Sequence, residues 1–538
     1  MSVLLHHLIR HQQRLRPNHI ALLHGNERWT YHELYQLVRQ VAAGLANVGV
    51  HKGQRVAIYL PKHLETVVSF FAASACGAVF VPINPLLKPA QIAHIINDCD
   101  TKLLITSGER WQQLSAALSD CESLSHTVLT SPQKPGDIPT LGRIKIMSWQ
   151  ELLNTAETAL IEHGLDSDLA AILYTSGSTG QPKGVVLSHR NMLAGADSVA
   201  TYLGNTSEDR LLAVLPFSFD YGLSQLTTAF HVGASVALMD YLLPRDVIKA
   251  LSRYEVTGLA AVPPLWNQLA ELDWPEDVRQ RLRYITNSGG AMPQATTEKL
   301  QRNLPQTDIF LMYGLTEAFR STYLPPDQVA LRPTSMGKAI PNAEILVVRD
   351  DGSLCDANEV GELVHRGPLV AQGYWNDPAK TAERFKPAPR QLEQLPLTEI
   401  AVWSGDQVYR DAEGFLYFVS RKDEMIKTSG YRVSPTEVEE VLFHCPMIRE
   451  AVALGISHPT LGQAIVLVVC AKEASTTADE AAADKQIILQ YCRQQLPNFM
   501  IPHEVIFNAS LPRNPNGKID RKLLAQELST LFEEPRSE

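Results

Sequence analysis

The chain has no surplus of positive charge: 48 Lys and Arg stand against 58 Asp and Glu, a formal net charge of −10 at pH 7 with a pI near 6.0. That balance leaves no electrostatic footprint for nucleic acid and mildly repels acidic partners except where Arg and Lys cluster. An enzyme with a local basic site fits better. No apolar run reaches the roughly 20 residues that a membrane span needs. The longest, Val67 to Val81, is interrupted by Ser69, Ser74 and Gly77 and reads as a buried helix that turns at Gly77 into a strand. Cysteine is scarce and odd in number. Seven lie between Cys76 and Cys492 with no CxxC or Cys/His metal spacing, which argues for reduced thiols in a cytoplasm and against a disulfide framework. The N-terminus, MSVLLHHLIRHQQRLRP, places Leu4, Leu5, Leu8 and Ile9 at helical spacing without a sustained apolar core or a small-residue cleavage site. It is expected to be a surface helix and not a signal peptide. No repeat of fixed period is found.

What is present is a globular composition of 538 residues, 45% hydrophobic and 20% charged, enough for two or more cores. Helical patterns such as Tyr31 to Ala46 alternate with short β-rich runs such as Arg55 to Leu60 and Lys102 to Thr106. A second series of runs follows at Leu211 to Leu215, Ala234 to Met239, Gly258 to Val262 and Tyr284 to Thr286. The alternation predicts parallel strands covered by helices. From Thr334 to Val419 the spacing shortens, with Ile345 to Val348, Gly361 to His365 and Phe415 to Val419 divided by Asp/Gly turns, which predicts antiparallel pairing and a small β-barrel. Beyond Asp423, Ser434-Pro435-Thr436-Glu437 opens a helix with Pro and Glu in its first turn. A βαβ-like alternation then runs to about residue 510. Glu473 to Asp484, rich in Ala, Thr and acids, reads as an exposed loop or a helix start.

The stretch Tyr174 to Val185, YTSGSTGQPKGV, follows the apolar run Ala170 to Leu173. Its glycines let backbone N–H groups approach anionic oxygens closely, Thr175, Ser176, Ser178 and Thr179 add donors, and Lys183 adds a positive charge. A polyphosphate suits such a loop. The Walker A pattern is excluded, because Pro182 and Gly184 stand where it needs glycine and Ser or Thr.

This loop resembles the phosphate-binding signature of the AMP-forming adenylating enzymes, the superfamily of acyl-CoA synthetases, peptide-synthetase adenylation domains and luciferases. Further motifs follow in order: Tyr313-Gly314-Leu315-Thr316-Glu317 resembles YGxTE, Trp403-Ser404-Gly405-Asp406 the SGD turn, Ser420-Arg421-Lys422-Asp423 the GRxD hinge, and Pro515-Asn516-Gly517-Lys518 the PxGK near the C-terminus. The resemblance implies an α/β fold. Its large N-terminal domain, residues 1–419, would hold doubly wound α/β subdomains and a small β-barrel. A hinge over 420–423, pivoting at Asp423, would lead to a smaller mobile α+β domain over 424–538. It implies two half-reactions, carboxylate plus ATP giving acyl-AMP and pyrophosphate, then thiol attack giving a thioester and AMP.

Each site residue takes a physical task within that resemblance. Attack of a carboxylate on the α-phosphate brings two anions together, and Lys518, on a Pro/Gly loop, is assigned to neutralise the developing charge. Lys183, Thr316 and Glu317 complete the catalytic set, with Glu317 holding Mg²⁺ and Thr175 a supporting ligand, as suits a hard cation. Ser176, Gly177, Ser178, Thr179 and Gly180 hold phosphate. Gly289, Gly290 and Ala291 would sandwich adenine against Tyr313, next to Gly314. Asp406 suits the ribose hydroxyls, and Arg421 suits ribose or phosphate. Gly430 matches the glycine of the pantetheine tunnel, and Arg432 would bind a phosphate of nucleotide or thiol donor. CoA or a phosphopantetheine carrier protein is the implied acceptor.

The substrate pocket departs from the usual acyl-CoA synthetase pattern LPLFHxYG, reading LPFSFDYG over residues 215–222, so that Phe219 replaces His and Asp220 an apolar residue. Amino-acid-activating domains carry FDxS there, with the Asp on the substrate ammonium. Asp220 thus hints at an amino-bearing acid, and Arg320 at a receiver for a second acid group; alternatively the two pair with each other or cap helices. Ser224 and Met312 complete the expected pocket. The wording of LPFSFDYGLSQL and YGLTEAFRSTYLPP is most similar to the acyl-CoA ligases found with exosortase A systems. A stand-alone enzyme loading an amino acid onto a carrier protein, and a non-catalytic nucleotide binder, are the competing readings.

Overall fold

A computed structural model describes residues 3–131, 139–154, 164–175, 182–391, 394–422, 424–428, 431–458, 461–472, 477–496, 498–514 and 517–532. The chain forms two compact units, one made of Met1–Ile345 and Val364–Trp403, the other of Leu346–Leu363 and Ser404–Glu538. The second unit therefore takes in segments well before residue 424, where the motif-based boundary was expected.

The first unit contains two sheets. In one, the strands lie in the order Lys145–Ser148, His126–Leu129, Thr101–Thr106, Arg55–Tyr59, Val79–Pro82, Leu169–Thr175 and Lys183–Ser188. All pairs are parallel except the last, an antiparallel hairpin. Val56, Ala57 and Ile58, like Leu103, Leu104 and Ile105, are buried in succession. A parallel strand covered on both faces requires such an unbroken apolar run. The stretch from Val67 to Val81 behaves as its sequence predicts: a buried helix, Leu64–Ala75, turns at Gly77 and delivers the buried strand Val79–Pro82.

The other sheet of this unit orders Thr322–Leu324, Asp308–Tyr313, Tyr284–Asn287, Gly258–Ala261, Arg210–Ala213, Ser235–Leu238, Ile20–His24 and Glu27–Thr30. From Asp308–Tyr313 through Ile20–His24 every pair is parallel. The segments leaving their C-terminal ends thus gather on one side, where ligands bind open α/β sheets.

The N-terminal helix, His7–Leu15, is docked and not simply laid on the surface as its composition suggested. Leu5, Leu8 and Ile9 are fully buried, Gln12 Nε2 donates to the His231 carbonyl at 2.9 Å, and Arg16 donates to the Val232 carbonyl at 2.9 Å. Its entry is fixed by histidines: His6 Nδ1 lies 3.1 Å from Ser74 Oγ, and His189 Nδ1 accepts the Leu5 N–H at 3.1 Å. Burial lowers His6 well below 6.5 and His189 from 6.5 to about 4. His365, fully buried with Nδ1 2.9 Å from Ser321 Oγ, is lowered by burial to about 3. These rings are neutral in the native state, whereas the unfolded chain protonates them near 6.5. The stability they leave intact above pH 6.5 is therefore lost as pH falls toward 4. His189 alone accounts for about 3 kcal/mol of that loss. Urea midpoints should drop between pH 7 and 4.5, and the drop should shrink in His189→Asn, whose amide oxygen still accepts from Leu5. Equal drops in both proteins would show that His189 is not held neutral.

In the second unit, the strand Ile400–Arg410 reaches in from Ser404 onward and pairs antiparallel with Leu416–Arg421. Ile448–His458 and Gly462–Ala471 form a long antiparallel hairpin, and Glu504–Phe507 joins parallel to the second of these strands after the helix Ala478–Gln495. The βαβ expectation thus holds for the last three elements. Alternation places Ala451, Ala453, Ile465, Leu467 and Val469 in one core and Val452, Leu454, Ile456, Val466 and Val468 in another. Both faces of the hairpin are therefore covered. The predicted helix start at Ser434 opens Pro435–Phe443. All seven cysteines are buried and free. Among the described residues no helix is long and apolar enough to cross a membrane.

Candidate active site

The hairpin of Leu169–Thr175 and Lys183–Ser188 brackets Ser176, Gly177, Ser178, Thr179 and Gly180, the residues expected to hold phosphate, which lie outside the described residues. Its register sets Thr175 opposite Lys183. Lys183 Nζ donates to the Tyr374 hydroxyl at 3.1 Å and lies 3.7 Å from Glu317 Oε1, while the Tyr374 hydroxyl donates to the same Oε1 at 2.6 Å. The ammonium also stands 4.2 Å from the centre of the Tyr374 ring. One phenol thereby accepts from a cation and donates to an anion, locking Lys183 and Glu317 in a fixed relation.

Tyr374 carries no charge and lies outside the sequence motifs. It is delivered by a segment running beside Lys183–Ser188: Val186 N–H donates to Gly373 O at 3.0 Å, Gln372 N–H to Val186 O at 2.8 Å, and Trp375 N–H to Gly184 O at 2.7 Å. Ala371 N–H donates to the Glu317 carbonyl at 2.9 Å, so the same segment holds Glu317 directly and the strand of Lys183 through its neighbours Gly184 and Val186. The Gly-Tyr-Trp at 373–375 was the available signal. Replacing Tyr374 with Phe should lower the rate of acid activation roughly tenfold, less than the 10²-fold or more lost with a group aimed at the transition state. Pyrophosphate exchange at saturating ATP measures this, and an unchanged rate would make the bridge purely structural.

The nucleotide-side residues leave neighbouring parallel strands. Gly289, Gly290 and Ala291 follow Tyr284–Asn287, while Tyr313 ends Asp308–Tyr313, the next strand over. Asn287 donates to Gly290 O at 3.0 Å, leaving its buried Oδ1 without a partner among the described residues. The buried Thr175 Oγ1 is likewise unpartnered among them. Such orphaned acceptors suit a bound polar ligand. Among the described residues no group of three or more His, Cys, Asp or Glu forms a ready metal cage. A single carboxylate with a hydroxyl is the donor set expected when Mg²⁺ comes mostly dressed in phosphates and water, where it neutralises phosphate charge; Glu317 fits the first, and Thr175, opposite Lys183 in the hairpin, the second.

Asp220, Ser224, Thr316 and Arg320 form a buried network, in which Arg320 Nε is left without a partner among the described residues. Asp220 opens the helix Asp220–Val232, where its charge suits the helix N-terminus. Arg320 donates to Asp220 Oδ2 at 2.7 Å, to Ser224 Oγ at 2.7 Å and to the Phe319 carbonyl at 2.8 Å, and Thr316 Oγ1 donates to Asp220 Oδ1 at 3.1 Å. Asp220 and Arg320 are 4% and 2% exposed. The alternative in which the two pair with each other is thus the observed one, and neither presents a free charge. Phe219, half-buried, stands 6.1 Å from the Tyr221 ring, and Met312 is buried with its sulfur accepting from the Tyr202 hydroxyl at 3.0 Å.

Arg320 points this way because of Phe319. That residue has φ 57° and ψ −43°, and Arg320 N–H donates to Ala318 O at 2.6 Å. This is the strained, positive-φ γ-turn, which costs on the order of 1–3 kcal/mol and persists only where the surroundings impose it. The imposing contact is Gly195, where even a methyl would stand 2.3 Å from the Phe319 ring.

In the second unit, Arg421 Nε lies 3.1 Å from Asp406 Oδ1, the two facing each other across the antiparallel pair. Ser404 Oγ accepts the Asp406 N–H at 3.1 Å. Lys518 is exposed at the end of a tight turn in which Asn514 N–H donates to Lys518 O at 2.8 Å and Lys518 N–H to Asn514 Oδ1 at 3.1 Å. Gly517, at φ 79°, supplies the left-handed step of that turn. Asp423 and Gly430 lie outside the described residues, as does the side chain of Arg432.

A family model described as AMP-binding enzyme matches residues 9–375, and one described as AMP-binding enzyme C-terminal domain matches 437–518. The chain is 29% identical to an L-proline–[L-prolyl-carrier protein] ligase of Pseudomonas fluorescens, over 98% of this chain and 99% of that one. It is also 29% identical to a long-chain-fatty-acid–CoA ligase of Escherichia coli O157:H7, over 94% and 91%. The solved o-succinylbenzoate CoA synthetase of Bacillus subtilis, in complex with its acyl-adenylate intermediate, superposes with a TM-score of 0.80 at 27% identity, covering 96% of this chain and 97% of that one. The same synthetase in complex with ATP and a magnesium ion gives 0.79, at 27% identity and with 96% and 98% covered.

Proposed function

The chain belongs to the AMP-binding enzyme family and is an AMP-forming acid–thiol ligase working through an acyl-adenylate, and on that footing we propose that it joins a small-molecule carboxylic acid to the thiol of CoA. The observation that carries the site assignment is the Lys183–Tyr374–Glu317 cluster beside the phosphate-loop hairpin. In this reading Lys183 faces the phosphates and Thr316 supports the same turn. Glu317, steadied by Tyr374, and Thr175 hold Mg²⁺. Gly289 to Ala291 and Tyr313 with Gly314 receive adenine, Asp406 and Arg421 the ribose, and Lys518 the charge that develops at the α-phosphate. Asp423 serves as the hinge, Gly430 keeps the thiol path open, and Arg432 binds a phosphate. The division into 1–419 and 424–538 is kept as the working assignment of ATP site and mobile domain.

The wording of residues 215–226 and 313–326 supports placement with the exosortase A-associated ligases, and the buried free thiols support a cytoplasmic setting. A carrier protein as acceptor is the second reading, favoured by the likeness to the prolyl-carrier ligase. ATP–pyrophosphate exchange across fatty, aromatic, amino and dicarboxylic acids, followed by thioester formation with CoA or a phosphopantetheinylated carrier, tests both. Exchange with no acid at all would refute the ligase reading.

A further inference from the structure

We propose that Arg320 is the resident counter-cation of Asp220 and thereby restricts this ligase to carboxylic acids without an ammonium group beside the carboxylate. This rests on the ligase reading above and names its substrate class. A buried substrate ammonium needs an anion. Among the described residues, Glu317 of the turn Thr316–Arg320 is committed to Tyr374 and Lys183, and Asp220, bonded to the same turn, to Arg320 and Thr316. A substrate cation would have to expel Arg320 from Asp220. The guanidinium is tied at the same time to Ser224 Oγ and the Phe319 carbonyl, and it faces the rings of Tyr221 and Phe319 at 4.7 and 5.6 Å from their centres.

Expulsion would strip a buried guanidinium, 2% exposed, of its carboxylate while it stays tied to Ser224 Oγ and the Phe319 carbonyl. The pair is thus electrically balanced before any substrate arrives. A neutral acyl group leaves that balance intact, whereas an α-ammonium adds an uncompensated charge.

The test uses the full-length enzyme and pyrophosphate exchange with matched acids that differ only in the amino group: hexanoate against 2-aminohexanoate, and 3-phenylpropanoate against phenylalanine. Wild type should favour the neutral member of each pair by on the order of 10²-fold in kcat/KM. Arg320→Met strips Asp220 of its partner and should move that ratio toward the amino acid by at least about tenfold. The double variant Arg320→Met/Asp220→Asn, with no buried charge left, should restore the neutral preference and serves if the single variant fails to fold. Wild-type preference for the amino members, or a double variant that favours them as the single one does, overturns the inference while leaving the ligase reading standing. Silence with every acid overturns both.

Discussion

Lys518→Ala is expected to abolish acid activation, with pyrophosphate exchange falling by about 10²-fold or more, the scale of one preorganised contact made in the transition state. Attack of a thiol on a supplied acyl-adenylate should survive. Adenylation pushes a carboxylate against a phosphate, and charge builds on oxygens that a fixed ammonium can stabilise; thiolysis has already passed that barrier. The substitution suits the test because the side chain is exposed while the turn is held by the bonds of its backbone to Asn514 and by Gly517. Separate assays of the two half-reactions decide the matter. Equal losses in both would mean that Lys518 is not specific to the first step.

Gly430→Leu is expected to do the opposite. Pyrophosphate exchange should persist, while thioester formation falls by about 10²-fold, because in the role proposed for Gly430 a branched side chain would misplace the thiol nucleophile without touching ATP. Acyl-adenylate should then accumulate, visible as a burst of pyrophosphate without matching thioester. Normal thioester output from the folded variant would remove Gly430 from the thiol path.

Much of the architecture was legible because burial on both faces of a parallel strand leaves an unbroken apolar run, as at Arg55–Tyr59 and Thr101–Thr106, and because the helix–turn–strand at Leu64–Pro82 carries its own punctuation. Lys183 and Glu317, distant in sequence, were named together and do meet. What escaped depends on contacts with no local trace. Tyr374 is neutral and reaches Glu317 across a separation of 57 residues. The docking of the N-terminal helix depends on His189, 184 residues from Leu5. The direction of Arg320 is decided by a single positive φ at Phe319, which no propensity favours for an aromatic residue. The charge of Asp220 was plain, but its compensation was set by that turn.

The Asp220–Arg320 pair also constrains how the substrate range of this enzyme can drift. Removing either partner alone strands a buried charge, at about 3–5 kcal/mol, a large part of a typical domain's stability. Removing both together is far milder. The two positions are therefore epistatic. With the pair in its proposed role, a lineage moving between neutral and amino-bearing acids faces a valley at each single step, and crosses it by a paired change or with stability held in reserve elsewhere.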